Sequence, residues 1–199
     1  MTALWRLRLI EIRCTRTVFG HYLTVSGDLL VRCVETVQAY GYAWPAPPDA
    51  ASTRAARRGS CAGKHAVLRE DLEDAGFTAN VLFVVGPLVP PLWPDLVAKA
   101  GGLVEVHECL TVETVSTGPL IVDVTWPPAA IAAGLPGTLG WDGVSDMTLA
   151  VSPLATYAMS GVDLRQQKEA LRRRLYSDAD RRLRDETIAE IARRADATG

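Results

Sequence analysis

Long apolar runs are missing from this chain of 199 residues. No window approaches the roughly 20 consecutive apolar residues that span a bilayer. Near the start, Arg6, Arg8 and Glu11 interrupt the apolar residues of segment 1–13, which therefore lacks the clean apolar region of a secretory signal. We expect a cytoplasmic protein without a membrane partner.

An excess of charge of either sign is also missing. Lys and Arg together number 21 and Asp and Glu number 23, which gives a formal net charge of -2. Nucleic acids and anionic membrane surfaces select strongly basic proteins, so this balance gives no reason to expect either partner. Apolar residues make up 48% of the chain, which is enough for a buried core and excludes a disordered chain.

Cysteine is scarce, and the four residues of this type are Cys14, Cys33, Cys61 and Cys109. In a cytosolic chain of this length we expect reduced thiols rather than a framework of disulfides. Internal repeats and low-complexity tracts are absent from the sequence as well. What remains is a compact fold around an apolar core.

Apolar periodicity and turn residues predict a mixture of helices and strands. Helices are predicted from residue 26 or 27 to residue 40, over 61–75, over 95–100 and over 164–195, the last as one helix or as two joined near 177–178. Strands are predicted over 4–14, 78–86, 103–115 and 120–125, with a loop over 44–48 and a loop or short helix over 49–59. The turn Thr117-Gly118-Pro119 joins the last two strands as an antiparallel hairpin.

This order predicts an α+β fold in which an antiparallel sheet packs beside a helix. We divide the chain into one α+β domain over 1–160 and a C-terminal amphipathic helical segment over 161–199. The apolar stripe of that segment is expected to dock on the domain or on a second copy in a homodimer. Its arginines, Arg172-Arg173-Arg174 and Arg181-Arg182, leave docking on an acidic carrier protein open as an alternative.

Cys61 stands where a cysteine can become a nucleophile. Ser60 is a predicted N-cap, so Cys61 opens a helix, and Gly59 before it lets the backbone turn sharply and leaves room for a substrate. Unpaired N–H groups and the helix dipole favour negative charge there, which lowers the pKa of a thiol. The same N–H groups can receive an oxyanion, with Tyr42 or Trp44 as the nearest side chains for a second donor. The alternative is a cysteine packed as a small apolar residue.

His107 and Asp123 lie on the two strands of the predicted hairpin, which can bring them together. Asp123 interrupts an apolar strand between Val122 and Val124, and a buried carboxylate needs a partner. An imidazole N–H is suitable, because the carboxylate would fix the ring tautomer and stabilise the imidazolium ion. The alternatives are a turn-capping carboxylate and a strand histidine without a catalytic role.

Three segments together resemble the transglutaminase-like superfamily of papain-like cysteine enzymes. They are Gly59-Ser60-Cys61-Ala62-Gly63-Lys64-His65-Ala66, Val106-His107-Glu108-Cys109-Leu110-Thr111-Val112 and Val122-Asp123-Val124-Thr125-Trp126. They look like the family's cysteine, histidine and aspartate motifs, in the family's order, and the resemblance covers residues 59–126. The sequence departs from the family where Val124 replaces a common proline and where no aromatic residue follows His107 closely.

The resemblance implies a papain-like fold with the cysteine helix on an antiparallel sheet. It also implies Cys61 as nucleophile, His107 as base and Asp123 as the residue that orients the base. The implied reaction is acyl transfer or hydrolysis on an amide or peptide-like carbonyl through a thioester acyl-enzyme, without a metal or organic cofactor. Two functions stay open beside it. One is an acyltransferase or cyclase acting on thioesters bound to an acyl or peptidyl carrier protein in natural-product biosynthesis, and the other is a non-catalytic binding module.

Other uses of these residues are weaker predictions. Cys61, His65, His107 and Cys109 could form a zinc site, although their spacing differs from that of zinc fingers. His65, one helical turn after Cys61, could serve as the base, but no carboxylate is obvious to orient it. The polar loop Trp141-Asp142-Gly143-Val144-Ser145-Asp146 either edges the pocket or forms a structural turn.

Overall fold

The computed structural model of the protein describes residues 15–159 and 163–198. The helices in these ranges are α1 (Thr15–Gln38), α2 (Ala50–Ala56), α3 (Cys61–Asp74), α4 (Pro94–Ala100), α5 (Pro128–Ala132), α6 (Leu164–Leu175) and α7 (Asp178–Asp196). The strands are β1 (Gly41–Tyr42), β2 (Arg58–Gly59), β3 (Ala79–Pro87), β4 (Val104–Thr114), β5 (Gly118–Val122) and β6 (Ala155–Ala158).

The centre of the fold is a four-stranded antiparallel sheet in the order β5-β4-β3-β6. β4 pairs with β3 along nearly its whole length, whereas β5 pairs only with the last part of β4, from Thr114 opposite Gly118 to Leu110 opposite Val122. β4 therefore runs past the end of β5, and the chain leaves the sheet immediately before Asp123. The predicted α+β class and the predicted hairpin are confirmed.

Most predicted elements appear close to their expected bounds, and the exceptions have local causes. α1 begins at Thr15, so the predicted start at residue 26 or 27 is wrong; Gly27 lies inside the helix, where an isolated glycine is tolerated. The predicted strand over 4–14 lies outside the described residues. α5 and β6 were not predicted, because both are short and show no apolar periodicity.

The main core lies between the sheet and the helices α1 and α3. β-branched and aromatic side chains of the sheet alternate in and out of this core, as the period of two requires. Each fully buried Leu, Val or Phe side chain stabilises the fold by roughly 1.5–3 kcal/mol. The core includes Leu30, Val34 and Val37 of α1, Val67, Leu68 and Leu72 of α3, and Val81, Phe83, Val85, Val106, Leu110 and Val112 of the sheet.

The C-terminal helices pack on the rest of the protein. Of the two predicted arrangements over 164–195, two helices joined near 177–178 are confirmed, because Ser177 and Asp180 form a capping box that starts α7. Ile188 and Ile191 of α7 join a second apolar cluster that includes Trp126. At Ile188 and Ile191, the apolar stripe of the C-terminal segment is therefore covered by the rest of the protein. The division of the chain at residue 160 stays a prediction.

Lys64 ties three parts of the structure together from inside the core. Its side chain is fully buried, and its ammonium group donates hydrogen bonds to the carbonyl oxygens of Gln38 (3.1 Å), Tyr40 (2.7 Å) and Thr125 (3.1 Å). Burial lowers the pKa of Lys64 to about 7, and the charge of Asp123 opposes that shift. Because all three ammonium N–H groups meet carbonyl oxygens, α3 is fixed relative to the end of α1 and to the segment after β5.

We predict that Lys64→Met lowers the free energy of unfolding by about 3 kcal/mol or more, because it leaves buried carbonyl groups without donors. Urea denaturation of the two proteins measures this difference. The matched control is Lys99→Met, since Lys99 is exposed and forms an ion pair with the exposed Glu186. That variant is expected to stay within about 0.5 kcal/mol of the parent protein. Equal losses for both lysines would contradict the assigned role of Lys64.

Candidate active site

His107 and Asp123 meet at the point where β5 ends. The Nε2 atom of His107 lies 2.7 Å from Oδ2 of Asp123, and both side chains are buried. The carboxylate also accepts the backbone N–H groups of Thr125 at 3.0 Å and Ala150 at 2.8 Å. Burial raises the pKa of Asp123, but the charge and hydrogen bond of His107 outweigh burial and hold that pKa well below its usual range. The structure therefore brings together two of the three predicted residues as an ionised pair.

The imidazole of His107 is the positive member of this pair. Burial lowers its pKa, but the charge and hydrogen bond of Asp123, followed by the interaction with Cys61, raise the pKa to about 10. Since Asp123 engages Nε2, the ring nitrogen left for the sulfur of Cys61 is Nδ1. An imidazolium held in this way can both stabilise a thiolate and later give up a proton.

Cys61 opens α3 as predicted, with the side chain of Ser60 capping the helix. Burial raises the pKa of the thiol, but the charge of Lys168, followed by the hydrogen bond and charge of His107, lowers the pKa to about 7. The helix start adds N–H groups that have no partner within the helix. The structure gives a different reason for a glycine at position 59 from the predicted one. A Cβ atom there would lie 2.8 Å from the side chain of Thr53 in α2, so a larger residue would not fit.

His65 cannot be the base, which corrects that alternative. Its Nδ1 lies 2.8 Å from the carbonyl oxygen of Cys61, and its Nε2 accepts the backbone N–H of Val124 at 3.1 Å. A ring that donates from Nδ1 and accepts at Nε2 is neutral and has no free nitrogen. Burial lowers the pKa of His65 to about 4. The residue instead links the backbone of Cys61 to that of Val124.

Lys168 and Glu108 also belong to the site, and sequence reasoning assigned neither of them a role. The ammonium group of Lys168 on α6 lies 3.8 Å from the sulfur of Cys61 and 3.1 Å from Oε2 of Glu108. Glu108 follows His107 directly in the sequence, and an acidic residue in a predicted buried strand was an available signal. Lys168 could not be found from the sequence, because a lysine on an arginine-rich helix is typical of an exposed face.

The zinc interpretation lacks support from the geometry. The thiol of Cys109 donates to the carbonyl oxygen of Leu82 at 3.7 Å and packs with Leu82 and Val84 in a small cluster. Burial raises the pKa of Cys109 well above its ordinary value, so this thiol is not disposed to bind a metal. Over residues 15–159 and 163–198, no group of three His, Cys, Asp or Glu side chains is arranged to hold a metal ion.

A cavity of about 690 Å³ opens beside Cys61 and His107. One wall is aromatic and apolar, with Tyr42, Trp44, Trp126, Leu88, Ile188 and Ile191 among its residues. Another wall is charged, because Glu105 binds the guanidinium groups of Arg184 at 2.5 and 2.7 Å and of Arg172 at 2.9 Å. The cavity therefore offers both apolar and charged surface to a substrate of moderate size.

Tyr42 is the better placed of the two predicted oxyanion donors. The short β1–β2 pair sets Tyr42 opposite Gly59, two residues before Cys61. Burial and the negative charge of Cys61 raise its pKa well above the ordinary value, so the hydroxyl stays protonated. Tyr42 and Cys61 both line the cavity. The face of Trp44, by contrast, is covered by the guanidinium group of Arg184, 5.1 Å from the ring centre.

The loop over 141–146 is a structural turn, which was one of its two expected roles. The indole N–H of Trp141 donates to the carbonyl oxygen of Ser145 at 2.6 Å, and the ring is buried in the main core. Asp142 accepts the backbone N–H groups of Val144 and Ser145, both at 3.0 Å. None of these residues lines the cavity.

The chain matches no family model, and searches among curated proteins and solved structures found no match either. In the described ranges, no helix is both long and apolar enough to cross a membrane. The site must therefore be interpreted from its own geometry.

We predict that iodoacetamide at about pH 7 labels Cys61 faster than Cys33 and Cys109. The pKa of Cys61 is lowered to about 7, whereas burial raises the pKa values of Cys33 and Cys109, and only the thiolate reacts. Peptide mass spectrometry locates the label, and the labelling rate should rise through about pH 7. Cys61→Ser is the control and should lose this fast phase. A midpoint near the ordinary thiol value, about 8.5, would contradict the assignment.

Proposed function

We propose that the protein is a cysteine-dependent enzyme that transfers or hydrolyses an acyl group on an amide or peptide-like carbonyl. The observation that carries the proposal is the buried His107–Asp123 pair, 2.7 Å apart, whose ring interacts with a cysteine at a helix N-terminus beside a cavity. The pKa shifts support these roles, since the pKa of Cys61 is lowered to about 7 and that of His107 is raised to about 10.

In the first half of the reaction, the thiolate of Cys61 attacks the carbonyl carbon and forms a carbon–sulfur bond. The carbonyl oxygen becomes an oxyanion, which the backbone N–H at the start of α3 and the hydroxyl of Tyr42 can receive. The carbon–nitrogen bond then breaks, and His107 gives the proton on Nδ1 to the leaving amine. Asp123 keeps the ring oriented, and the product is an acyl group held as a thioester.

In the second half, the now neutral His107 takes a proton from water or from an acceptor amine. The resulting nucleophile attacks the thioester carbonyl, the carbon–sulfur bond breaks, and Cys61 leaves as a thiolate. His107 is protonated again, so the site returns to its starting state. Water gives hydrolysis and an amine gives acyl transfer.

The observed arrangement supports a papain-like, transglutaminase-like fold as part of the proposal. A cysteine at the first position of α3 packs beside an antiparallel sheet, and the histidine and aspartate follow on β4 and just after β5. This order, with cysteine on the helix, histidine on the next-but-one strand and aspartate directly after the following strand, is close to that of the family which the sequence motifs resemble. The His107–Asp123 contact is the one that such a triad needs.

We predict that acyl donors leave a covalent adduct on Cys61. The protein is incubated with two sets of donors, short peptide thioesters and amides on one side and small thioester mimics of a carrier-bound acyl group on the other. Intact-mass spectrometry measures the adduct, and an added primary amine separates transfer from hydrolysis. Peptide donors are expected to react, since the cavity combines apolar surface with charged groups.

Three variants test whether formation of the acyl adduct depends on the residues of the proposed site. Cys61→Ala should form no adduct, and Asp123→Asn should slow its formation about a hundredfold or more, because the ring of His107 loses its orienting charge. Cys33→Ser is the matched control, since Cys33 does not line the cavity. Reaction with the carrier mimics alone would favour the alternative function on carrier-bound thioesters. An unreactive Cys61 with an ordinary thiol pKa would instead support the non-catalytic binding module.

A further inference from the structure

Lys168 is an unusual neighbour for a nucleophilic cysteine. It projects from α6, and only 6% of it is exposed. Its ammonium group donates to Oε2 of Glu108 at 3.1 Å and to the sulfur of Cys61 at 3.8 Å, and it lies 5.7 Å from the ring centre of Phe83. Lys168 therefore contacts the atom that reacts.

Burying an ammonium ion in this way is costly unless negative charge surrounds it. Glu108 supplies one negative charge, and the thiolate of Cys61 supplies a second. Both raise the pKa of Lys168, although burial opposes them, so the amine stays charged. A purely structural ion pair with Glu108 would not need the sulfur within hydrogen-bond distance.

We propose that Lys168 is a catalytic residue whose ammonium ion holds Cys61 as a thiolate together with His107, while Glu108 limits the strength of that effect. The inference rests on the proposed function, in which Cys61 is the nucleophile. A fixed cation matters most in the second half of the reaction. When the thioester breaks, the sulfur must leave as a thiolate, and the charge of Lys168 stabilises it alongside the imidazolium of His107.

The two partners of the pair act on the thiol in opposite directions. The charge of Lys168 lowers the pKa of Cys61, and the charge of Glu108 raises it. Removing the charge of Lys168 must therefore raise the pKa of the Cys61 thiol, and removing the charge of Glu108 must lower it. If the two residues only supported the fold, either substitution would loosen the packing and shift the pKa of the Cys61 thiol in the same direction.

The test measures the pH dependence of iodoacetamide alkylation at Cys61 in Lys168→Met and Glu108→Gln. At about pH 6, Lys168→Met is expected to lower the alkylation rate about tenfold, which corresponds to one unit in the pKa of the thiol. Glu108→Gln is expected to raise that rate. Lys168→Arg keeps the positive charge and should stay near the parent rate, while Lys99→Met controls for the loss of an exposed lysine.

An unchanged rate in Lys168→Met, or shifts of the same sign in both variants, would overturn the inference. If Lys168→Met does not fold, Glu108→Gln decides alone. An alkylation rate that does not increase in Glu108→Gln would then contradict the assigned roles. The measurement needs no substrate, so it separates this inference from the proposed function. A protein that shows the opposite shifts but forms no acyl adduct would retain the role of Lys168 as a thiolate-stabilising residue and lose the proposed activity.

Discussion

The hydrogen bond between Nε2 of His107 and Oδ2 of Asp123 is the interaction on which the rest of the site depends. A carboxylate buried at this depth is stable only when donors surround it, and here an imidazole and two backbone N–H groups do so. The same contact fixes the ring of His107, which leaves Nδ1 for Cys61. One buried charge pair therefore orients the ring of His107 and, together with Lys168, lowers the pKa of Cys61.

The first turns of α3 connect this pair to the fold. Cys61, Lys64 and His65 follow each other within two turns, and each faces a different part of the structure. Lys64 holds the ends of α1 and of the segment after β5, His65 holds the backbone beside Asp123, and Cys61 faces the cavity. Lys64 and His65 have positioning roles because their polar side-chain groups are buried and bound to backbone groups. Stability and site geometry are therefore properties of the same contacts.

What the sequence could predict was local. Ser60 marks the start of α3, Gly118 marks the hairpin, and an aspartate between two valines indicates a buried carboxylate, so Cys61, His107 and Asp123 were found. Lys168 reaches the site through tertiary packing, from α6, and no local pattern encodes that. The start of α1 and the short β6 were missed for the same reason, since their neighbours rather than their own periodicity stabilise them.

The ionisation of His107 is the most direct measure of the central claim. The chain has three histidines, so nitrogen NMR can follow each imidazole ring across a pH titration. The account predicts that His107 keeps its proton well above neutral pH and loses it near pH 10, whereas His65 stays neutral down to about pH 4. A His107 ring that titrates near its ordinary value, about 6.5, would contradict the thiolate–imidazolium pair and with it the assignment of this site.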